Sequence, residues 1–484
     1  MFLLNFAVDE QNDLIAKRVG QADTAKGEAA SPSGDFVGLH RAENVGKLLK
    51  QYAMPAIIAM AATSLYNMVD SIFIGQGVGP MAIAGLAVTF PLMNLSIAFG
   101  TLVGVGAATL ISMLLGQKDY YMANRVLGNV VMLNVAIGVF VMVLGLVFLD
   151  PILYFFGASD VTLPYAHEYM VIILAGNIIS HLYHGLNGAV RASGQPRKAM
   201  SATLLSVGLN TVLDPIFIFG LNMGIRGAAI ATVLAQIVSL AWIARILSNK
   251  DYVLHFSREI FHFDMKIASR SLSIGMAPFL MNVASCFVVI LINRQLQFHG
   301  GDMAIGAYGI INRIVFLFVM LNMGFTQGMQ PIAGYNYGAR QYDRVKKVLR
   351  LTIICATITT SLGFLAGELI PKTMVALFTR DEALQLLSAH ALRIIVCIFP
   401  IVGFQIVVSS FFQCIGYVRK AIFLSLSRQL LFLIPFLIVF PSLWGTDGVW
   451  WSMPASDFVA ALIALVMISR LMKNFGKNEK AVLG

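Results

Sequence analysis

Apolar runs of about 20 or more residues recur along the chain, the length a helix needs to cross a bilayer. Twelve are bounded by Gly, Pro or charge clusters: 52–75, 83–115, 122–149, 163–192, 196–220, 225–247, 266–298, 303–337, 344–370, 383–415, 419–442 and 447–471. They predict an all-α polytopic membrane protein with twelve transmembrane helices. Residues 1–50 are polar and carry Lys17, Arg18, Lys26, Arg41, Lys47 and Lys50. They read as a disordered cytoplasmic tail, because MFLLNFAV is too short for a signal h-region.

The basic residues test the threading. Outside a cytoplasmic start lie Arg226, Lys372 and Arg380, and within spans lie Arg294, Arg313, Arg393 and Arg428, which leaves 27 of the 34 Lys and Arg on the inner side. That bias places both termini in the cytoplasm. It also accounts for the net charge of +10 without nucleic acid.

The text repeats. MAIAGLAV from Met81 pairs with MAIGAYGI from Met303, GQKDYYMANRVL from Gly116 with GARQYDRVKKVL from Gly338, and RASGQPRKA from Arg191 with QCIGYVRKA from Gln413, all at an offset of 222 residues. Six spans per copy predict two pseudo-two-fold-related six-helix bundles, a layout suited to alternating access. The expected domains are a tail over 1–50, an N-terminal lobe over 51–248, a cytoplasmic linker over 249–265, a C-terminal lobe over 266–472 and a second tail over 473–484. Pro91, Pro278, Pro331, Pro400, Pro435 and Pro454 fall inside spans and permit kinks, although membrane helices tolerate proline widely.

Composition supports the class, with 58% hydrophobic and 12% charged residues against about 25% charged in soluble domains. Cys286, Cys355, Cys397 and Cys414 lie in apolar runs without CxxC spacing and read as packing residues. GQGVG and GVGVG read as close-packing glycines, and no Walker, HExxH or GxSxG pattern occurs. Neither ATP-driven transport nor an enzyme is expected, and no cofactor.

Two carboxylates interrupt the spans. Asp70 stands about six residues from the outer end of the first, where a charge costs about 2.5–3.5 kcal/mol on insertion scales. Asp214 stands at the same depth in the fifth, roughly 9 Å below the surface at 1.5 Å per residue. Asn210 is one turn away on its face, and Pro215 kinks the helix there. The sixth span contributes Thr232 and, a turn deeper, Gln236; Asn67 and Gln236 are supporting polar candidates. Such a hard-oxygen site suits Na⁺ or a proton, since two close carboxylates do not both ionise cheaply in a low dielectric. No other metal is expected. Structural gluing of the bundle is the plain alternative.

The acid pair has no twin: the second copy offers Ile292 or Asn293 and apolar residues around Ile434. It carries instead Asp457 and arginines, of which Arg393 or Arg428 is expected to neutralise that acid, as a structural ion pair or a substrate site. His181 and His184 share a helix face, but without a third ligand packing is the default.

YNMVDSIFIG in the first span, LNTVLDPIFIFG in the fifth, and the paired GQKD and GARQ ends make residues 50–475 resemble the multidrug and toxic compound extrusion (MATE) family of cation-coupled efflux pumps. The resemblance implies Asp70, Asn210, Asp214 and Thr232 as the coupling site. Some branches add a carboxylate in the seventh span, where this chain has Asn282, Ser285 and Asn293 instead, which favours coupling through the first lobe and leaves Na⁺ and H⁺ both open. The expectation is a monomeric inner-membrane antiporter that admits H⁺ or Na⁺ and exports amphipathic or cationic small molecules. A flippase or exporter of a lipid-linked or anionic precursor is the alternative, and a polyprenyl-phosphate transferase is disfavoured for want of an acidic metal-binding loop.

Overall fold

The computed structural model describes residues 44–257 and 262–483, so residues 1–43 of the expected tail lie outside the description. Helices follow one another as α1 Val45–Gly77, α2 Pro80–Gly116, α3 Tyr120–Val147, α4 Leu149–Phe155, α5 Leu163–Ala175, α6 Asn177–Ala192, α7 Pro196–Pro215 and α8 Gly224–Leu247. The second half holds α9 Met265–Gly338, α10 Tyr342–Leu369, α11 Pro371–Ala376, α12 Glu382–Val396, α13 Phe399–Cys414, α14 Val418–Leu426 and α15 Ile434–Leu483.

Among the described residues, eight helices are long and apolar enough to cross a membrane, or ten if two bent pairs each count as one. The bent pairs are α5 with α6, at 55°, and α12 with α13, at 54°. Each lies within one run of the sequence. Gly176 marks the first bend and packs so closely on α8 that a Cβ there would meet Val233 at 2.5 Å. At the second, Pro400 near the start of α13 has no N–H with which to continue the ladder from α12.

The first helix begins earlier than the apolar run. Asn44 caps it by accepting from the Gly46 N–H at 3.0 Å, and Val45, Leu48 and Leu49 are buried in a cluster with Phe411, Phe412 and Leu471. Residues 45–50 therefore belong to α1 rather than to a tail.

The backbone echoes the repeat. Left-handed residues occur at Gly79 and Gly301, at Lys118 and Arg340, and at Gly194 and Gly416, each pair 222 apart. Lys118 and Arg340 close α2 and α9 with matching bonds: Asp119 N to Leu114 O and Gln341 N to Asn336 O span the last turn, at 3.0 and 2.8 Å. Gly301 also divides α9 in two, and Gly445 divides α15.

The two halves meet where α2 crosses α9. A Cβ on Gly116 would stand 2.0 Å from the Tyr335 carbonyl oxygen, and one on Gly338 would stand 2.1 Å from that of Met113. These four positions exchange under the 222-residue offset, so the contact is reciprocal. Farther along, Gly106 and Gly275 face each other, with hypothetical Cβ atoms 1.9 Å from Ser271 O and 1.8 Å from Leu102 O. Close backbone approach of this kind is how helices associate where water supplies no hydrophobic drive. Polar bonds flank it: Gln330 donates to Thr109 Oγ1 at 2.9 Å, and Arg191 donates to Gln327 at 2.6 Å.

The segment joining the halves is fastened to α3 by two amides. Asn124 donates to Val253 O at 2.8 Å and accepts from His255 N at 3.0 Å. Asn129 donates to His262 O at 3.4 Å and accepts from Asp264 N at 3.0 Å, and Arg125 pairs with Asp264 at 3.3 Å. Asn124→Ala strands one backbone N–H and one C=O, a cost of about 1–3 kcal/mol per unsatisfied group where water is excluded. The variant is expected to melt lower than the parent and to be cut faster by protease between residues 249 and 265. An unchanged cleavage rate would show that the clasp does not hold the segment.

Candidate functional site

Asp70 of α1 and Asp214 of α7 come together. Both side chains are buried, at 7% and 0% exposure, and they lie close enough to act on each other directly. A carboxylate only accepts, so two carboxyl groups this close could bond each other only by sharing a proton. The Oδ1 atom of Asp70 is buried and has no partner among the described residues.

Around the pair the donors point one way. With its amide nitrogen toward Asp214, Asn210 donates to Oδ2 at 2.7 Å and to Oδ1 at 3.2 Å, and its oxygen lies 3.0 Å from Thr232 Oγ1. Thr232 Oγ1 is in turn 3.2 Å from the Tyr66 hydroxyl and 3.1 Å from Ala228 O. Thr232 has one hydroxyl proton, given to Ala228 O or to the Asn210 oxygen, and in the second case a chain of donors runs from Tyr66 to Asp214. One helical turn separates Asn210 from Asp214, and the same spacing separates Tyr66 from Asp70.

Local sequence sets this geometry. Pro215 has no N–H for the Thr211 carbonyl, and the helix relaxes after it into a π turn over Ile216–Gly220, closed by Leu221 N to Ile216 O at 2.9 Å. Irregular backbone thus stands directly beside a buried acid. Among the described residues no three His, Cys, Asp or Glu side chains gather as a metal would require.

The sequence missed Tyr66. An aromatic ring in a span reads as packing, and only the approach of α1 to α8 reveals what its hydroxyl touches. Tyr169, fully enclosed on α5, is also within electrostatic reach of both acids. Gln236 accepts through Oε1 from Ser180 of α6, just past the Gly176 bend. The Asn67 side chain lies outside the described residues.

In the second half Arg428 is the partner of Asp457, while Arg393 stands near Glu368 at 3.9 Å on a more exposed surface. His181 donates through Nε2 to Ser96 O at 3.0 Å, and Ser96 Oγ donates to Asn177 at 2.5 Å. That network ties α6 to α2 at the bend.

Comparison with known proteins agrees with the fold and its repeat. The family model described as MatE matches residues 55–216 and 273–439. The chain is 29% identical over 425 residues to the multidrug export protein MepA of Staphylococcus aureus, covering 88% of this chain and 93% of that protein. The MepA of Staphylococcus haemolyticus is 28% identical over 440 residues, covering 91% and 97%. Among solved structures, the MATE multidrug transporter DinF-BH is 33% identical with a TM-score of 0.84, covering 92% of this chain and 98% of that one. An outward-facing multidrug resistance MATE family transporter of the MOP superfamily is 26% identical with a TM-score of 0.86, covering 92% and 99%. With the MatE model matching two stretches of the repeated halves, the chain belongs to the MatE family of membrane efflux transporters and is not an enzyme.

Proposed function

We propose that this protein is a cation-coupled multidrug antiporter of the inner membrane, and the observation that carries the reading is the buried, closely placed pair of Asp70 and Asp214. A site holding one proton between two acids exchanges it, or replaces it with Na⁺, at little cost in net charge. Asn210 and Thr232 complete the oxygen shell, and Tyr66 orients it. An ion shifts a conformational equilibrium only by binding its two states differently. The π turn after Pro215 is the element whose shape a change of charge at Asp214 would alter.

The reading takes the spans as twelve. To the ten already counted, α1 adds one, and Gly445 splits the stretch Val418–Lys473 into two. They form two six-helix lobes, over 51–248 and 266–472, with both termini cytoplasmic and a monomer sufficient. The Gly116 and Gly338 crossing then lies at the cytoplasmic end, and its tight packing corresponds to a state closed inward. The cargo follows the relatives, which are named for multidrug export: amphipathic or cationic small molecules. The rival cargo, an anionic lipid-linked precursor, calls for unopposed arginines, and of Arg313, Arg393 and Arg428 the last two have an acid beside them.

Proteoliposomes containing the protein and a fluorescent cationic dye test this directly. An imposed inward gradient of H⁺ or of Na⁺ is expected to drive dye movement several-fold above leak, and collapsing the effective gradient to abolish it. Dye flux indifferent to both gradients would remove the antiport reading.

A further inference from the structure

A groove lined with basic residues runs between the two halves at their inner ends. The first turns of α1 and α10 lie side by side: Val45, Leu48 and Leu49 share one buried cluster with Val345, Val348 and Leu349, and a Cβ on Gly46 would stand 3.8 Å from Leu351 Cδ1. Both helices run outward from the cytoplasmic end in the twelve-span threading, so they are parallel. Helical phase then places their neighbours. Lys47 follows Gly46 by about 100° and Arg350 precedes Leu351 by about 100°, and on parallel helices that face each other these opposite rotations turn both residues to the same side of the contact. Lys50, one turn outward of Gly46, and Lys347, one turn inward of Leu351, lean to that side as well. All four are exposed. Lys50, Lys347 and Arg350 form no ion pair among the described residues, and Asp343, the acid that follows inward on α10, pairs with Lys346 at 3.5 Å.

The repeat shows that this charge is local. Under the 222-residue offset Lys47, Lys50, Lys347 and Arg350 become Ser269, Leu272, Arg125 and Gly128, on α9 and α3. The one cation left there, Arg125, is paired with Asp264 at 3.3 Å. Orientation in the membrane calls for cations at the inner ends of both halves, and it does not call for four along one groove. Like charges sharing a groove repel, and an anion among them removes the repulsion.

The walls beyond the cations select the anion. One turn outward from Lys50 and Arg350 the same faces carry Met54 and Ile354, which are 46% and 45% exposed. Open apolar side chains about 6 Å farther into the membrane than the cations meet acyl chains, while the cations stand at headgroup level. A soluble anion uses only the inner part of this surface, and a phospholipid with a negative headgroup uses all of it. We propose that the groove between α1 and α10 binds an anionic phospholipid of the inner leaflet, its phosphate among Lys47, Lys50, Lys347 and Arg350 and its acyl chains along Met54 and Ile354. Because α1 belongs to the first half and α10 to the second, the bound lipid touches both and favours the conformation in which their inner ends are together. The site is independent of the cargo and of the coupling ion, and it rests on the threading only for which end faces the cytoplasm.

Native mass spectrometry of the full-length protein, released from an uncharged detergent, counts the lipids bound at each lipid concentration. Phosphatidylglycerol is expected to bind about tenfold more tightly than phosphatidylcholine with the same acyl chains. The double variant Lys50→Gln with Arg350→Gln is expected to lose that preference while its binding of phosphatidylcholine stays unchanged, which also shows that it is folded. Arg245→Gln with Lys250→Gln removes as much charge from the inner end of the first half and is expected to keep the preference. Glycerol 3-phosphate in large excess offers the phosphate without the chains and is expected not to displace phosphatidylglycerol. Equal binding of the two lipids by wild type, a preference that survives Lys50→Gln with Arg350→Gln, an equal loss in the Arg245 and Lys250 variant, or displacement by glycerol 3-phosphate would each overturn the site. None of these readouts involves drug movement, so the lipid site and the antiport reading fail separately.

Discussion

Cells that rely on this protein for drug resistance are expected to lose it when Asp70 or Asp214 becomes asparagine, with protein levels in the membrane unchanged. Asparagine preserves the shape and fills the same space, but an amide neither takes up nor releases a proton as a carboxyl group does. The amide also removes the charge that would hold Na⁺. Without a charge change the ion has no differential affinity for the two states, and an effector with equal affinity for both shifts nothing however tightly it binds. The effect is therefore all or none in coupled efflux, while binding of a dye to the resting protein is expected to fall much less. Asn210→Ala should sit between, since it removes the donor 2.7 Å from Asp214 but neither acid. Resistance assays in a pump-deficient strain, with immunoblots for expression, decide the matter. Normal efflux by either asparagine variant would refute the assignment.

The second large effect is expected at the crossing of α2 and α9. In Gly275→Val the new side chain meets the Leu102 carbonyl, where even a Cβ would stand at 1.8 Å. The obstacle is backbone, which has no rotamer to change, so the helices must part. Overpacking of a rigid contact costs about 1–3 kcal/mol and sometimes more. Conformers of a transporter differ by only a few kcal/mol, so the variant is expected to leave the conformation described here while staying folded. Transport then stops for want of one of the two states. Thr109→Cys, at a position fully buried in the parent, reports the separation in a cysteine-free background: the thiol should become reactive to a labelling reagent in Gly275→Val. Gly208→Ala serves as control, because a Cβ there meets nothing within 4 Å. A thiol at position 109 that remains protected would show that the helices accommodate the side chain in place.

Much of this was legible in the sequence because a membrane makes polar residues conspicuous. Asp70 and Asp214 stand out against apolar text, and helical spacing alone puts Asn210 beside Asp214. The repeat shows in loops, where hydrophobicity does not force similarity. What stayed hidden depends on how helices meet. Gln236 shares a face with Thr232, yet its amide is long enough to be claimed by Ser180 once α6 bends. Tyr66 looked like one aromatic among many. Arg393 and Arg428 were equal candidates for Asp457 on depth, and the choice fell to Arg428 because Glu368 stands next to Arg393 at the end of α10. The left-handed turns at Lys118 and Arg340 were also unreadable, since neither residue is glycine, the usual occupant of that position.

The two asparagine clasps on α3 hold the joining segment to the first half, and Asp264, gripped there by Asn129 and Arg125, also caps α9. A strap pinned to both leaves keeps their near edges together while the rest swings. In the proposed cycle the bare backbones of α2 and α9 must part and meet again, so the seam that opens is one without side chains.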